Sequence, residues 1–400
     1  MGSKEDKKSS SENASEKACF IKKYLEGCKE QIKSNEVIIS IGSEACDPDS
    51  FVCSLAVAIH EKAIPVVNMS RTVFESKGDL QYLCSIFKIS NNDLIFLERP
   101  KGRFSLPARI VGTSFKVGDK SYKIEDKKMK LILVDHHKPV EELRHCELDM
   151  IIDHHALSEA SLFARRIYVD IDAGSCCTLV SKFIGHSLLA TKNPKNEYFD
   201  KIQFCRHLAK MLAIPILLDT NRFRKVTSHF DRGEFKKLIK AADVKKEDIV
   251  NIVKTIKKVR LNDKDLDNET ILLKDFKKFD KDGMVFGYST VKYSYEEWVD
   301  REAKNVNTSS ESKAGSVLEA AFHAFKREYG LDFLLVNRKA GKKRFLIMVS
   351  CPFEKKLAAQ HNFKHVDFKG LHYYEIDVEL SRKILTPAIK DLIHNLSLKE

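Results

Sequence analysis

Short apolar runs alternate with amphipathic stretches along most of the chain, and polar residues follow each apolar run. Runs of β-branched residues and leucine bounded by charge are typical of strands buried on both faces of a parallel sheet. Strands are predicted at 37–41, 65–69, 94–97, 131–134, 150–152 and 167–171. Helices are predicted at 17–33, 51–62, 79–89, from the 173–178 segment to about 189, and at 198–214, ending before Pro215. This alternation predicts an α/β fold with a doubly wound, mainly parallel sheet.

Two regions depart from this alternation. Residues 98–128 are predicted to form a β-hairpin insertion, with strands at 111–117 and 121–124 around Gly118 and Asp119. Residues 231–258 are predicted to form two basic helices, and a charged stretch follows them. Beyond residue 271, strands are predicted at 284–292, 333–337 and 345–349, with helices near 316–328 and 381–394.

These changes predict the domain organisation. Residues 1–16 are expected to be a disordered polar tail, because they carry charge and serine but no apolar run. A first domain is expected over 17–258, a linker over 259–269, and a smaller second α/β domain over 270–400. The active site is expected in the cleft between the two domains.

Composition narrows the class of protein. With 43% hydrophobic and 32% charged residues, the chain is typical of a soluble globular protein. We expect no membrane association, because no apolar run approaches the roughly 18 residues of a membrane span. The ten cysteines are scattered without a CxxC pair, which favours reduced thiols and a cytoplasmic location. The net charge of +12 suits a polyanionic partner, but a lysine-rich solvated surface explains it equally well.

Two of the predicted strands end in the same triplet. Residues 135–137 and 153–155 both read Asp-His-His. The carboxyl ends of parallel strands meet at one edge of a sheet, where ligands bind in open α/β folds. Carboxylate and imidazole at that edge suit a divalent metal, and solvated turns rarely repeat such a triplet. The pair therefore predicts a metal or catalytic site.

Other polar positions follow strands or apolar runs. Asp47 and Asp49 flank Pro48 between a strand and a helix, and Asp219 follows an apolar run. Alone, the Asp-Pro-Asp segment is more typical of an ordinary turn or helix cap than of a ligand pair, whereas Asp219 is as consistent with a cap as with a ligand. Gly174 and Ser175 precede a helix and either offer backbone donors to an oxyanion or simply allow close packing.

Together these positions define one expected constellation at the sheet edge. Its members are Asp47, Asp49, Asp135, His154 and Asp219. Carboxylates with a minority of imidazole suit Mg²⁺ or Mn²⁺ better than structural zinc. Two such ions about 3.5–4 Å apart activate water for in-line attack on phosphorus.

The ordered set of motifs resembles the DHH phosphoesterase superfamily. The matching segments are 47–49, 134–136, 152–155, 174–176 and 218–220, and Ser381-Arg382-Lys383 resembles the basic signature of a DHHA2 domain. Within the superfamily, the motifs most resemble those of eukaryotic cytosolic exopolyphosphatases and prune-like proteins. Family II inorganic pyrophosphatases are more distant cousins.

This resemblance implies roles for individual residues. It implies two divalent cations held by the five-residue constellation, with Asp135 and Asp219 bridging them. His155 is expected to contact the scissile phosphate, so the catalytic residues are Asp135, His154 and His155. The residues expected to bind substrate are Lys277, Arg382, Lys383 and His136.

Three departures refine the expectation. Ser43 stands where the pyrophosphatases carry a histidine ligand. That histidine is also missing in the exopolyphosphatases, which this chain resembles in this respect. His137 stands where these relatives usually have asparagine, and both histidines of the second triplet are kept, which favours a working enzyme. The chain has no Gly-Gly, unlike the oligonucleotide-cleaving branch with a DHHA1 domain, so nucleic acid is not expected as the main substrate.

The sequence therefore predicts a metal-dependent exopolyphosphatase that releases orthophosphate from linear polyphosphate. Three alternatives stay open: an inorganic pyrophosphatase, a nucleotide phosphodiesterase, and a prune-like scaffold without catalysis. The oligomeric state also stays open.

Overall fold

The computed structural model describes residues 20–102, 106–157, 163–189, 197–225, 227–305 and 314–397. The expected tail at 1–16 lies outside these residues. The chain forms two compact units. The first comprises the described residues of Met1–Asn68, Leu80–Glu98 and Thr113–Ile256, and the second those of Met69–Asp79, Arg99–Gly112 and Lys257–Glu400.

The sheet of the first unit has eight strands. They are β1 Glu36–Ile41, β2 Ile64–Val67, β3 Ile95–Glu98, β4 Ser114–Val117, β5 Lys120–Lys123, β6 Lys128–Val134, β7 Glu147–Asp153 and β8 Arg166–Val169. Their order is β5-β4-β3-β2-β1-β6-β7-β8. The neighbouring pairs in the run β3-β2-β1-β6-β7-β8 are all parallel. The predicted doubly wound, mainly parallel sheet is confirmed. Its switch point lies between β1 and β6, because β2 and β6 flank β1 on opposite sides.

The helices through residue 259 are Phe20–Gln31, Pro48–Glu61, Arg71–Ser76, Gly78–Phe87, Leu106–Gly112, Cys176–Leu189, Glu197–Asp219, His229–Ala242 and Lys246–Val259. The helix Pro48–Glu61 is the central one, since every residue from 48 to 58 is buried. Pro48 suits its first turn because that position needs no backbone donor. The helix packs on β1, β2 and β6, so its N-terminus is fixed at the sheet edge.

Two predictions of local structure were wrong. Residues 111 and 112 end the helix Leu106–Gly112 rather than begin a strand, and the hairpin is limited to β4 and β5. The helix Glu197–Asp219 continues through Pro215, which was expected to end it. Proline removes only one helical hydrogen bond, and the neighbouring Ile214, Ile216 and Leu217 are fully buried. Burial of this apolar turn outweighs the missing bond.

The second unit has a six-stranded sheet in which only β10 and β11 pair in parallel. Its strands are β9 Phe276–Lys281, β10 Met284–Val291, β11 Phe333–Ala340, β12 Lys343–Val349, β13 Lys364–Phe368 and β14 Leu371–Ile376, in the order β13-β14-β12-β11-β10-β9. Its further helices are Asn268–Leu273, Tyr295–Asn305, Ala314–Glu328, Glu354–Gln360 and Arg382–Ser397.

Both faces of this second sheet are covered. Val285 of β10 belongs to one apolar cluster with Trp298 and Phe322, whereas the next residue, Phe286, belongs to another with Ile389. This alternation follows from the two-residue period of a strand. The second α/β domain that was predicted is therefore present as a sheet between two helical layers.

Candidate active site

The two Asp-His-His triplets leave neighbouring parallel strands beside the switch point. Asp135 follows the last residue of β6, and its amide donates to the carbonyl of Ile152 at 2.9 Å. Its φ of 60° is left-handed, a conformation that aspartate tolerates better than most residues. Nε2 of His154 lies 3.2 Å from Oδ1 of Asp135. His155 completes a group in which one ligand atom from each residue lies within 4.8 Å of the others.

The imidazoles are oriented from behind by acceptors. Nδ1 of His154 donates to the carbonyl of Ala173 at 3.0 Å, and Nδ1 of His155 donates to Oδ1 of Asp153 at 2.8 Å. Each bond commits Nδ1 as a donor and leaves Nε2 as the nitrogen directed into the site. Without its proton, Nε2 can bind a metal, and with its proton it can donate to a phosphate oxygen.

Asp153 is the anchor of this arrangement. Its carboxylate is fully buried and accepts the backbone N–H of His154 and of His155. It also accepts Nδ1 of His137 at 2.9 Å, which gives this histidine a structural role. Burial would raise the pKa of Asp153, but the hydrogen bonds from His155 and His137 outweigh it and lower the pKa. We did not predict a separate role for Asp153, although it lies within the motif.

The predicted ligands Asp47 and Asp49 lie at the start of the central helix Pro48–Glu61. Asp47 is its N-cap and accepts the backbone N–H of Ser50 at 3.0 Å. The hydroxyl of Ser50 in turn donates to that of Ser43 at 3.0 Å, so Ser43 supports this turn.

Asp49 is buried and held by the loop before the helix Cys176–Leu189. Its carboxylate accepts the Ser175 hydroxyl at 2.8 Å and the N–H groups of Cys176 and Cys177 at 2.7 and 2.9 Å. The backbone donors expected near Gly174 therefore serve a carboxylate of the chain itself. Cys53 and Cys177 also lie beside Asp49, but burial raises the pKa of both thiols, which keeps them neutral.

The charges at this edge favour a cation. Burial, together with the charges of Asp47 and Asp49, raises the pKa of Asp135 to about 7, against the opposing effect of the His154 hydrogen bond. Burial lowers the pKa of His154, but Asp135 and the charge of Asp49 outweigh it and raise the pKa to about 10. The site therefore concentrates negative charge that a single imidazolium offsets only in part. Carboxylate oxygens with one oriented imidazole fit a divalent cation of the Mg²⁺ or Mn²⁺ type.

Asp219 is the last residue of the helix Glu197–Asp219. A carboxylate there adds to the negative end of the helix dipole, which a cation would relieve. After Thr220, three consecutive residues have left-handed φ angles: Asn221 (46°), Arg222 (60°) and Phe223 (63°). Such a run is strained in L-residues. The grouping of Asp219 with the other four ligands stays a prediction.

His136, the second residue of the first triplet, has a different environment from that of His154 in the second triplet. Nδ1 of His136 donates to the carbonyl of Val134 at 2.9 Å, and burial lowers the pKa of its ring. Nε2 of His136 is buried and has no hydrogen-bond partner among the described residues. Its contact with substrate stays a prediction.

The other predicted substrate residues belong to the second unit. Lys277 on β9 is paired with Tyr288 of β10. Arg382 begins the helix Arg382–Ser397, and its guanidinium lies 2.9 Å from the carboxylate of Asp275, while Lys383 is exposed.

Sequence reasoning missed one basic residue of this region. Arg344 on β12 is buried, and it donates to Oδ1 of Asn337 at 2.7 Å and to the carbonyl of Val378 at 2.9 Å. Burial raises the pKa of Tyr288, and the charges of Arg344 and Arg382 both act to lower it, so the two guanidinium groups share one environment. A single arginine in an apolar strand carries no spacing signal that would have identified it.

Comparison with known families identifies the two domains of the chain. The DHH family N-terminal domain matches residues 37–216, and the DHHA2 domain matches residues 254–392. The chain therefore belongs to the DHH family and carries a DHHA2 domain, as its motifs predicted.

The relatives are distant. A Schizosaccharomyces pombe protein, provisionally named an exopolyphosphatase, is 26% identical over 297 residues, which are 67% of this chain and 70% of that protein. Human exopolyphosphatase PRUNE1 is 25% identical over 328 residues, 78% of this chain and 62% of its own length. Among solved structures, a provisionally assigned family II inorganic pyrophosphatase of Methanococcus jannaschii matches with a TM-score of 0.54 at 18% identity, covering 89% of this chain and 98% of that one. The last likeness concerns the fold.

Within the described residues, no helix combines the length and apolar character that crossing a membrane requires.

Proposed function

We propose that the chain is a metal-dependent exopolyphosphatase, which hydrolyses the terminal phosphoanhydride bond of linear polyphosphate and releases orthophosphate. The observation that carries this proposal is the grouping of Asp135, His154 and His155 at strand ends beside the switch point. The names of the yeast and human relatives support the same class of hydrolase.

In this proposal, two divalent cations, Mg²⁺ or Mn²⁺, are held by Asp47, Asp49, Asp135, His154 and Asp219. When bound, such cations lower the pKa of coordinated water and offset negative charge on the phosphate oxygens. Asp135 and Asp219 are proposed as the ligands shared by both cations. His155 contacts the terminal phosphate through Nε2, since its Nδ1 is committed to Asp153.

The phosphate chain is proposed to bind Lys277, Arg382, Lys383 and His136. Arg382 offers a planar fork that matches phosphate oxygens, and the amides at the start of its helix add donors. The net charge of +12 supports a polyanionic substrate.

The test is phosphate release from polyphosphate, pyrophosphate and a cyclic nucleotide, each with Mg²⁺ or Mn²⁺. We expect polyphosphate to be the preferred substrate, with Asp135→Asn as the inactive control. Preference for pyrophosphate would replace the proposal by a pyrophosphatase, and preference for the cyclic nucleotide by a phosphodiesterase. Absence of turnover on all three would favour a scaffold.

A further inference from the structure

We infer that Asp231 is a positioning residue for the metal site, because its carboxylate fixes the 173–178 segment that orients both Asp49 and His154. This inference rests on the proposed metal binding. Asp231 belongs to the helix His229–Ala242, beyond residues 37–216 that match the DHH family domain.

The 173–178 segment contacts two predicted ligands through different groups. The carbonyl of Ala173 accepts Nδ1 of His154, and three donors from the next residues reach the carboxylate of Asp49. A shift of this short segment would therefore change the direction of an imidazole and of a carboxylate together. Metal affinity depends on such outer partners, whose loss typically weakens binding by about 10–100-fold.

Asp231 binds this segment on both sides of the Asp49 donors. The N–H of Gly174 lies 3.2 and 3.0 Å from Oδ1 and Oδ2 of Asp231, and the Thr178 hydroxyl donates to Oδ1 at 2.6 Å. Asp231 is fully buried, so no solvent competes with these bonds. Residues 175–177, which hold Asp49, lie between the two attachment points.

Helix capping alone does not account for these contacts. Asp231 also closes a capping box with Ser228, whose N–H and hydroxyl lie 2.7 and 3.0 Å from Oδ2. That function needs only Oδ2 and Ser228. The bonds of Oδ1 to the 173–178 segment are additional to it.

A carboxylate is required because all of its neighbours are donors. In Asp231→Asn, the amide NH₂ would face the N–H of Ser228 in one orientation. In the other orientation it would oppose the N–H of Gly174 and require the Thr178 hydroxyl to accept instead of donate. An unsatisfied buried donor makes such a substitution costly even though the shape is kept.

Glu234 provides a matched control. It is a buried carboxylate of the same helix and accepts the hydroxyl of Ser181 at 2.8 Å. It therefore connects the same two helices one turn away, and among the described residues it bonds Ser181 and Lys237 and not the 173–178 segment. Glu234→Gln tests general loosening of this helix pair.

The experiment measures Mn²⁺ affinity of the full chain by electron paramagnetic resonance, together with the melting temperature. Asp231→Asn should weaken Mn²⁺ binding by at least about tenfold, within the range for outer partners of metal ligands. Thr178→Val removes one of the two attachment points on the segment and leaves the Gly174 bonds and the Ser228 cap, so it should weaken Mn²⁺ binding in the same direction. Glu234→Gln and Ser228→Ala should lower the melting temperature but leave Mn²⁺ affinity close to that of the wild type.

Unchanged Mn²⁺ affinity in Asp231→Asn, or an equal loss in Glu234→Gln, would overturn the inference while the metal site itself stands. A wild-type chain that binds no Mn²⁺ would overturn the proposed function and this inference with it. If Asp231→Asn does not fold, Thr178→Val decides the question alone, since its cap is intact.

Discussion

The pKa of Asp135 responds to the charges of three other residues of the site, Asp47, Asp49 and His154. Its backbone is left-handed, and burial, together with the charges of Asp47 and Asp49, raises its pKa. We predict that Asp135→Asn folds as well as the wild type, because it removes a repelled carboxylate. Hydrolysis should fall by more than about 100-fold, since an amide is a poor shared ligand for two cations. Steady-state rates at saturating Mg²⁺ and thermal melts check this. Near-normal turnover would contradict the ligand assignment.

Asp153 should contribute to stability with a defined pH dependence. Its folded-state pKa is lowered, so it stabilises the fold above the unfolded value of about 4, and this contribution is lost as the pH falls towards the folded value. Asp153→Asn should lower the free energy of unfolding at pH 7 by about 1–3 kcal/mol, because the amide keeps one acceptor oxygen and either His137 or His155 loses its partner.

Denaturant unfolding at pH 7 and below pH 4 measures this difference, which should shrink at the lower pH. His372→Asn is a suitable control, since His372 is an exposed histidine of the second unit that lies near the carboxylate of Asp367. An equal loss of stability at both pH values would mean that packing rather than charge explains the effect.

Single residues were predictable where they belong to a repeated or ordered pattern. Asp135 and His154 follow apolar strands in the same triplet, and the triplet alone marks them. The anchoring of Asp153 and the left-handed backbone of Asp135 depend on segments brought together by the sheet. No local pattern encodes those contacts, and the same holds for Arg344.

At the scale of helices and strands, prediction followed burial. The parallel strands β1, β6 and β7 are buried and apolar, so periodicity revealed them. Strands β9 and β13 were missed because they are partly exposed and rich in charge, and their pairing depends on neighbouring strands. The prediction that Pro215 ends its helix was wrong for a related reason, because burial in the tertiary structure outweighed the local effect of proline.

The helix Arg382–Ser397 begins with two cations, although the positive end of a helix disfavours them. A bound polyanion would remove this conflict. We predict that Arg382→Ala raises the KM for polyphosphate by at least about tenfold, as expected for loss of a charge-assisted phosphate contact, with Mn²⁺ affinity unchanged. Added salt should weaken the binding of long polyphosphate chains more than that of short ones, because more charges are screened.

Lys390→Ala is the matched control for this prediction. Lys390 is on the same helix, where its ammonium lies 5.2 Å from the ring centre of Phe279. It removes the same charge without touching the helix start. Equal kinetics of Arg382→Ala and wild type would place the phosphate contact elsewhere.

For the molecule as a whole, cation binding should appear as stability. A ligand at 100 times its Kd stabilises the native state by about 2.7 kcal/mol if it does not bind the unfolded chain. We therefore predict that Mg²⁺ or Mn²⁺ raises the melting temperature of chelator-treated protein. Asp135→Asn should lose most of this shift. A shift of the same size in the variant would show that the cations bind elsewhere.

The second unit is assembled from segments far apart in the chain, and this affects its order of synthesis. The helix Arg71–Ser76 belongs to that unit and packs on the helix Asn268–Leu273. Lys77 and Asp79 of the same early segment bond the carbonyl of Lys274 and the guanidinium of Arg260. From Asp79 to Lys257 there are 178 further residues. At roughly 5–20 residues per second, this early segment is synthesised about 9–36 s before its partners exist. Val73 and Phe74, which are buried in the finished fold, must therefore remain without those partners throughout that interval.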